Sequence, residues 1–451
     1  MQTLREQAAA GAAVRPALLI LAVVLGTVLV PLNSTMIAVD LPDIARSLGH
    51  GLAATVWVVS VYLIVMAVVQ PIAGRTGDLY GHRRIFVAGL FVFLAGSLLA
   101  ATSSNLPELI VYRAVQALGG GIAGPNGTAI LRRQLAEKLP RVLGTVGMVQ
   151  GAGAAAGPLL GAILVVNFGW AGIFWINVPI LAVGIVLALL VIPKAGRTGA
   201  APPDVVGALL LAGLLVALTL GIRNHPVLLI LVALCLIGFV EWERRRSTPL
   251  IDVTLFRQAP FRSSNLGITL QNFLMYSVML ATPVILARQH EAIALSGLYL
   301  LLFSLTGSAC SWVGGRLTER FSRRALVSTA FLISFGTFLG LALVLPLHDP
   351  ILNGVWMVVA GVGSGVGGVS IQATTLQSVD RSRAGMAAGV YSAFRYLGST
   401  LAAAVLAALP GLPPVFLALL LLAAALGVLV AQGFRGFRPL VDAARTEGVR
   451  A

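Results

Sequence analysis

The feature that most constrains this chain is a succession of long apolar runs separated by short polar segments. A helix that crosses a bilayer needs about 20 predominantly apolar residues. Runs of that kind occupy residues 16–42, 53–73, 85–103, 106–131, 142–167, 170–193, 204–222, 226–242, 262–287, 293–314, 325–346, 350–377, 384–409 and 413–433. They predict fourteen membrane spans, of which the eighth is short. Only 10% of the 451 residues are charged, against about 25% in a soluble domain. A soluble chain of this length needs more charge to cover its surface, so much of this surface faces lipid. The predicted fold class is an all-α membrane protein. The stretch before the first run, up to Arg15, shows no small-residue cleavage site. That run is read as a retained span rather than a signal peptide.

The net charge of +15 would suggest a nucleic-acid partner in a soluble protein. Here the basic residues fall in the short segments between apolar runs. With the N-terminus inside, only Arg46, Arg223 and Arg288 fall outside, and Arg113 and Arg395 fall within spans. All the rest of the 31 basic residues lie on the inner side. That asymmetry follows the positive-inside rule, predicts an even span count and places both termini in the cytoplasm. It leaves no charge pattern that calls for nucleic acid. The two cysteines, Cys235 and Cys310, lie in apolar runs, and the five histidines are scattered. Neither a disulfide framework nor a metal site is expected. No Gly-Lys-Ser/Thr phosphate loop occurs, which argues against direct ATP drive. No cluster of His, Asp or Ser marks an enzyme, and none is expected.

The chain repeats itself. The loop after the second span reads Gly74-Arg-Thr-Gly-Asp78-Leu-Tyr-Gly81-His-Arg83-Arg84. Half a chain later, after the tenth span, stands Gly315-Arg-Leu-Thr-Glu319-Arg-Phe-Ser-Arg323-Arg324. Each has a glycine, an acid four residues on and then a basic pair. Six spans precede the middle pair and six follow it. Two similar six-helix halves with a site between them near the midplane are the architecture of secondary transporters. The expected organisation is an N-terminal six-helix bundle at 1–200, an inserted helix pair with a cytoplasmic linker at 201–257, and a C-terminal six-helix bundle with a short tail at 258–451. Within the loops, Gly74 and Gly81 permit tight approaches. Asp78 can meet the positive end of a neighbouring helix and nearby arginines, or be an incidental acid in a basic loop.

With these loops in place the chain resembles the major facilitator superfamily, in particular its 14-span drug:proton antiporter branch. In that family the loop at 74–84 acts as a charge latch that stabilises the outward-facing state. A second pattern is Tyr112-Arg113-Ala-Val-Gln116 followed by Gly119, Gly120 and Gly121. The resemblance implicates Arg113 in proton coupling; a snorkelling or structural arginine is the other reading. A third is the glycine series Gly144, Gly153, Gly157-Pro158 and Gly161, with Ala162 where the family has a last glycine. In the family this helix marks exporters. Small residues four apart also suit helix packing in general, and Pro158 can kink the helix. A fourth, Trp170 with Ile173-Phe174-Trp175-Ile176-Asn177-Val178-Pro179, resembles the start of the branch's sixth span and reads as mainly structural.

The first span departs from the branch. Asn33 stands where an acid is usual, Ala38 where an asparagine is usual, and Asp40 is a new acid. Seven helical residues turn through about 700°, so Asp40 lies about 20° from the face of Asn33 and about 10 Å along the axis. Asp40 either carries the proton with Arg113 or sits at a helix end in the headgroups. Arg395 in the thirteenth span either binds an anionic group or pairs with a helix C-terminus.

Polar and aromatic residues within spans are candidates for a substrate cavity: Asn33, Gln116, Gln150, Gln271, Asn272, Tyr276, Gln372, Tyr391 and Arg395. Buried amides can equally be interhelical glue. The resemblance implies a proton-coupled exporter of amphipathic small molecules, of multidrug efflux type, working by alternating access. It would be a monomer in the cell (inner) membrane, with no cofactor and protons as the coupling ion. Few carboxylates are available to hold a cationic drug, so a lipid or metabolite transporter on the same fold is the alternative.

Overall fold

The computed structural model describes residues 15–193 apart from Val56, scattered residues between 204 and 218, and residues 228–246, 249, 251–288, 293–344, 349–380, 383–408 and 413–437. Among the described residues there are sixteen α-helices and no strand. This is what an apolar chain in lipid requires, because a helix satisfies its own backbone. Eight stretches of the described residues are long and apolar enough to cross a membrane, among them Pro16–Ile37, Trp57–Tyr80, His82–Ala101 and Pro350–Gln377.

The first predicted span is two helices, α1 (Pro16–Thr27) and α2 (Leu29–Ser47), continuous except at Val28. After the short α3 (Leu52–Thr55) come α4 (Trp57–Tyr80), α5 (His82–Ala101), α6 (Leu106–Gln134) and α7 (Leu139–Phe168). The sixth predicted span is the short α8 (Gly172–Trp175) followed by α9 (Asn177–Val191). Of the middle pair, α10 (Leu228–Arg245) is described, whereas about half of residues 204–222 lie outside the described residues. A 3₁₀ turn at Val253–Arg257, capped by Asp252, leads into α11 (Ala259–Arg288). The chain continues through α12 (Ile293–Arg320), α13 (Arg323–Val344), α14 (Pro350–Gln377), α15 (Ala384–Ala408) and α16 (Pro413–Val430).

Two buried apolar clusters organise the packing. One is built mainly from residues between Leu19 and Ile192, including Phe86, Phe93 and Phe174, and reaches Met386 and Tyr396. The other runs from Ile268 to Phe434 through Phe331 and Phe338. Lipid offers no hydrophobic drive for helices to associate, so close van der Waals contact carries the load. Glycines supply it. A Cβ at Gly119 of α6 would lie 2.2 Å from the Phe93 nitrogen, and one at Gly96 of α5 would lie 2.4 Å from the Gln116 nitrogen. The second half repeats the device. A Cβ at Gly365 of α14 would stand 2.3 Å from the Gly307 carbonyl oxygen of α12.

Gly119→Val therefore has no room and Gly336→Val, with nothing within 4 Å, has plenty. Overpacking costs about 1–3 kcal/mol. In detergent micelles, thermal unfolding followed by intrinsic fluorescence is expected to show a lowered midpoint for Gly119→Val and an unchanged one for Gly336→Val.

Candidate functional site

A cavity of about 310 Å³ lies between the halves. Helices α1, α2, α4, α6 and α7 wall it on one side, and α11, α12, α14 and α15 on the other. The walls correspond: spans one, two, four and five of each half face the cavity, and the third and sixth do not line it. Seven residues singled out from the sequence are among its lining: Gln150, Gln271, Asn272, Tyr276, Gln372, Tyr391 and Arg395. The Gln150 amide donates to the Thr27 hydroxyl across 3.2 Å, and the Asn272 amide donates to the Ile268 carbonyl across 3.4 Å. Apolar wall comes from Met66, Met275, Met279 and Phe303. Gly124 of α6 and Gly368 of α14, half a chain apart, line it too, and a Cβ on either would meet nothing within 4 Å.

The halves close against each other at the ends of α4 and α12, and there the two repeated motifs are helical rather than loops: residues 74–80 belong to α4 and 315–320 to α12, with only Gly81 and residues 321–322 between helices. Gly74 of α4 crosses Gly385 of α15 so tightly that a Cβ on Gly74 would lie 2.0 Å from the Gly385 oxygen, and one on Gly385 would lie 2.2 Å from the Gly74 oxygen. Its counterpart is Gly315 of α12 against Gly144 of α7. A Cβ on Gly315 would be 2.5 Å from the Pro140 oxygen, and one on Gly144 would be 2.6 Å from the Ser311 oxygen. Each crossing has an acid beside it. The Asp78 carboxylate is buried and accepts from the backbone N–H groups of Gly385 (3.1 Å) and Met386 (2.9 Å), the first turn of α15. A carboxylate there meets the positive end of the helix dipole. His82 Nε2 and Arg133 Nη2 stand 3.2 Å and 3.6 Å from the same carboxylate. Glu319 pairs with Arg141, in the first turn of α7, at 2.6 Å.

These features, a two-walled cavity and two repeat-related crossings that shut one end of it, are matched by sequence. Residues 23–403 fit the family described as the Major Facilitator Superfamily. The chain belongs to this superfamily of membrane transporters. It is 39% identical over 92% of its length to an uncharacterized MFS-type transporter of Bacillus subtilis, YvkA, and covers 96% of that relative. It is 31% identical over 86% of its length to the multidrug resistance protein Stp of Mycobacterium tuberculosis, covering 75% of it. A tetracenomycin C resistance and export protein of Streptomyces glaucescens is 29% identical over 89% of the chain and 77% of that relative. Among solved structures, the human organic anion transporter MFSD10 has the same fold, with a TM-score of 0.71 at 17% identity, over 93% of this chain and all of that one (100%).

Two further sequence candidates, Asn33 and Gln116, are not among the residues that line the cavity. They belong to a fully buried polar network that ties together the first, second, third, fourth and sixth spans. The Asn33 and Asn177 amides hold each other reciprocally at 2.8 and 3.1 Å. Asn177 also donates to the Ser97 hydroxyl (3.2 Å), which accepts from Gln116 as well (2.7 Å). Gln116 in turn accepts from Arg113. The Arg113 guanidinium lies 4.0 Å above the Tyr62 ring, and its Nε donates to the Val58 carbonyl at 3.4 Å. Among the described residues no carboxylate lies within ion-pair distance of Arg113. Asn177, Ser97 and Tyr62 did not stand out as site residues, although Asn177 was visible in the motif that starts the sixth span. Asp40 sits in the middle of α2, which continues past Pro42 to Ser47, so it does not end a helix. Its side chain lies outside the described residues.

The glycines of α7 divide their partners. Gly144, Gly147 and Gly151 abut Ser311, Gly315 and Ser308 of α12, in the other half. Gly153 and Gly157 abut Val28, Leu32 and Thr35, in the same half. Gly161 is buried, and Pro158 lies within α7 with its side chain outside the described residues. In the loops, Gly81 has a φ of 95°, where glycine is favoured, and it starts α5. Arg83 donates to the Leu189 carbonyl (2.5 Å) and Arg323 to the Gln377 amide oxygen (2.8 Å), while Arg84 is exposed and Arg324 half-buried.

Hydrogen bonds to a charged group contribute about 1.5–3 kcal/mol, whereas an exposed ion pair contributes about 0–1 kcal/mol. Asp78→Ala is thus expected to loosen the closed end more than Glu319→Ala. The readout is labelling of Gly368→Cys, in a chain lacking Cys235 and Cys310, by a membrane-impermeant maleimide applied from the basic side. About tenfold faster labelling is expected for Asp78→Ala, and less than threefold for Glu319→Ala.

Proposed function

We propose that this chain is a proton-coupled secondary transporter that exports amphipathic small molecules by alternating access. The observation that carries the reading is the cavity walled by corresponding helices of both halves and shut at the basic end by corresponding glycine crossings. Opening both crossings would admit a substrate from the basic side, and re-forming them would commit it to the other. Fourteen spans, arranged as six, an inserted pair and six over 1–200, 201–257 and 258–451, put that basic side in the cytoplasm by the positive-inside rule. Both termini are then cytoplasmic, the membrane is the cell inner membrane, and the closed latch at Asp78 belongs to an outward-facing state. One monomer contains the whole cavity.

Export is supported by the glycine series of α7 and by relatives named for multidrug resistance and for tetracenomycin C export. Coupling is assigned to Asp40 and Arg113. Asp40 is a carboxylate in the middle of a helix that lines the cavity farther along. An embedded carboxylate binds a proton when exposed to one side and releases it when exposed to the other. Arg113, buried without a counter-ion among the described residues, supplies the charge that makes that exchange responsive to conformation.

Proteoliposomes with an imposed pH gradient test this. Wild type is expected to move a fluorescent amphiphile against its gradient. Asp40→Asn is expected to lose at least 90% of gradient-driven transport while still binding the amphiphile. Wild-type rates in Asp40→Asn would remove Asp40 from the mechanism.

A further inference from the structure

We infer that the central cavity takes an anionic amphiphile, a small molecule whose carboxylate or sulfonate rests on Arg395. The inference rests on the transporter reading above and names the charge of its substrate. Arg395 is the one charged side chain among the described residues that line the cavity; no Asp, Glu or His is among them. Nor does Arg395 meet a carboxylate elsewhere among the described residues. Its surroundings are the phenols of Tyr276, Tyr391 and Tyr396, with the Tyr396 ring centroid 5.1 Å from the guanidinium carbon. Phenols are neutral, so the cation keeps its full charge toward the cavity.

A positive group placed in a membrane protein without a fixed counter-ion is costly and marks a pathway or binding site. A guanidinium also presents a planar fork of N–H donors that matches a carboxylate or sulfonate in two-point contact. A cationic guest would face this charge with no acid to hold it. The remainder of the wall suits the uncharged body of an amphiphile. Gln271, from the same half, is buried and its side-chain oxygen has no hydrogen-bond partner. Met275 and Met279 add adaptable apolar surface. The cavity's 310 Å³ lies at the lower end for small-molecule sites, about 300–1,000 Å³. It accommodates one aromatic body rather than a two-chain lipid.

The test holds the body constant and varies its charge. Three fluorescent probes are used with the full chain in detergent: 1-pyrenebutyrate (anion), 1-pyrenebutanol (neutral) and 4-(1-pyrenyl)butyl-trimethylammonium (cation). Wild type is expected to bind the anion at least tenfold more tightly than the cation, with the alcohol between. Arg395→Gln is expected to weaken pyrenebutyrate at least tenfold and pyrenebutanol less than twofold; Arg395→Lys is expected to keep most of the anion affinity. Equal or tighter binding of the cation by wild type overturns the charge assignment, and needs no variant to do so. Unchanged pyrenebutyrate affinity in Arg395→Gln overturns the role of Arg395. Gly368→Trp fills the cavity and is expected to abolish all three. If all three still bind Gly368→Trp as they bind wild type, the cavity reading itself fails, a separate outcome from a wrong charge. Displacement of pyrenebutyrate by phosphatidylglycerol micelles, with phosphatidylcholine and free benzenesulfonate inert, overturns the small-molecule source in favour of a lipid headgroup.

Discussion

The two glycine crossings, Gly74 against Gly385 and Gly315 against Gly144, are the constraint on which the rest of this structure depends. They bring the halves to backbone distance at one end. Beyond the crossings α4 and α15, like α7 and α12, stay close, as at Gly389 against Gln70 and Gly151 against Ser308, and the cavity lies between these two seams, lined by side chains such as Gln150, Phe303 and Arg395. The acids serve the crossings. Asp78 reaches the start of α15 only because Gly74 lets α4 approach it, and Glu319 reaches Arg141 for the corresponding reason.

The two halves use polar groups differently. The first half locks its amides into each other: Asn33, Asn177, Ser97, Gln116 and Arg113 form a chain of side-chain bonds across its helices. The second half turns Gln271, Asn272, Tyr276 and Arg395 toward the space between the halves. In the first half Asn33, Gln116, Asn126 and Asn177 are thus committed to other side chains, whereas Gln70 and Gln150 line the cavity. The wall that can meet a guest is largely the second.

Much of the fold was legible in the sequence, because apolar length and the duplicated loop report directly on helices and on two halves. That Asp78 could meet a helix start was also readable as one of two readings, though it does so from the last turn of α4 rather than from a loop. What did not read out was direction. Asn33 and Gln116 look like Gln271 and Asn272 in sequence, yet the first pair points into a network and the second toward the cavity. An amide in an apolar run says that a partner exists, not which side of the helix holds it. The glycines of α7 show the same limit. Their spacing announced close packing, but the change of partner between Gly151 and Gly153, from α12 to the first span, depends on where three helices cross. Asp40 is legible as an embedded acid and its helix continues past it, while its side chain lies outside the described residues.

Crossings built from bare backbone have a kinetic consequence. Side chains that interlock must leave their rotamers before two surfaces separate, which raises a barrier. Glycine against glycine has no rotamers to leave and buries little apolar area, so on the alternating-access reading the halves would part there without side-chain rearrangement. Directional contacts beside the crossings tie the halves together, from buried Asp78 to α15, from Glu319 to Arg141 and from Arg132 to the Val379 carbonyl. The mechanical joint and the lock are therefore separate parts. On the alternating-access reading proposed above, a change to these charges would alter how fast the molecule alternates without touching the glycine surfaces or the chamber beside them.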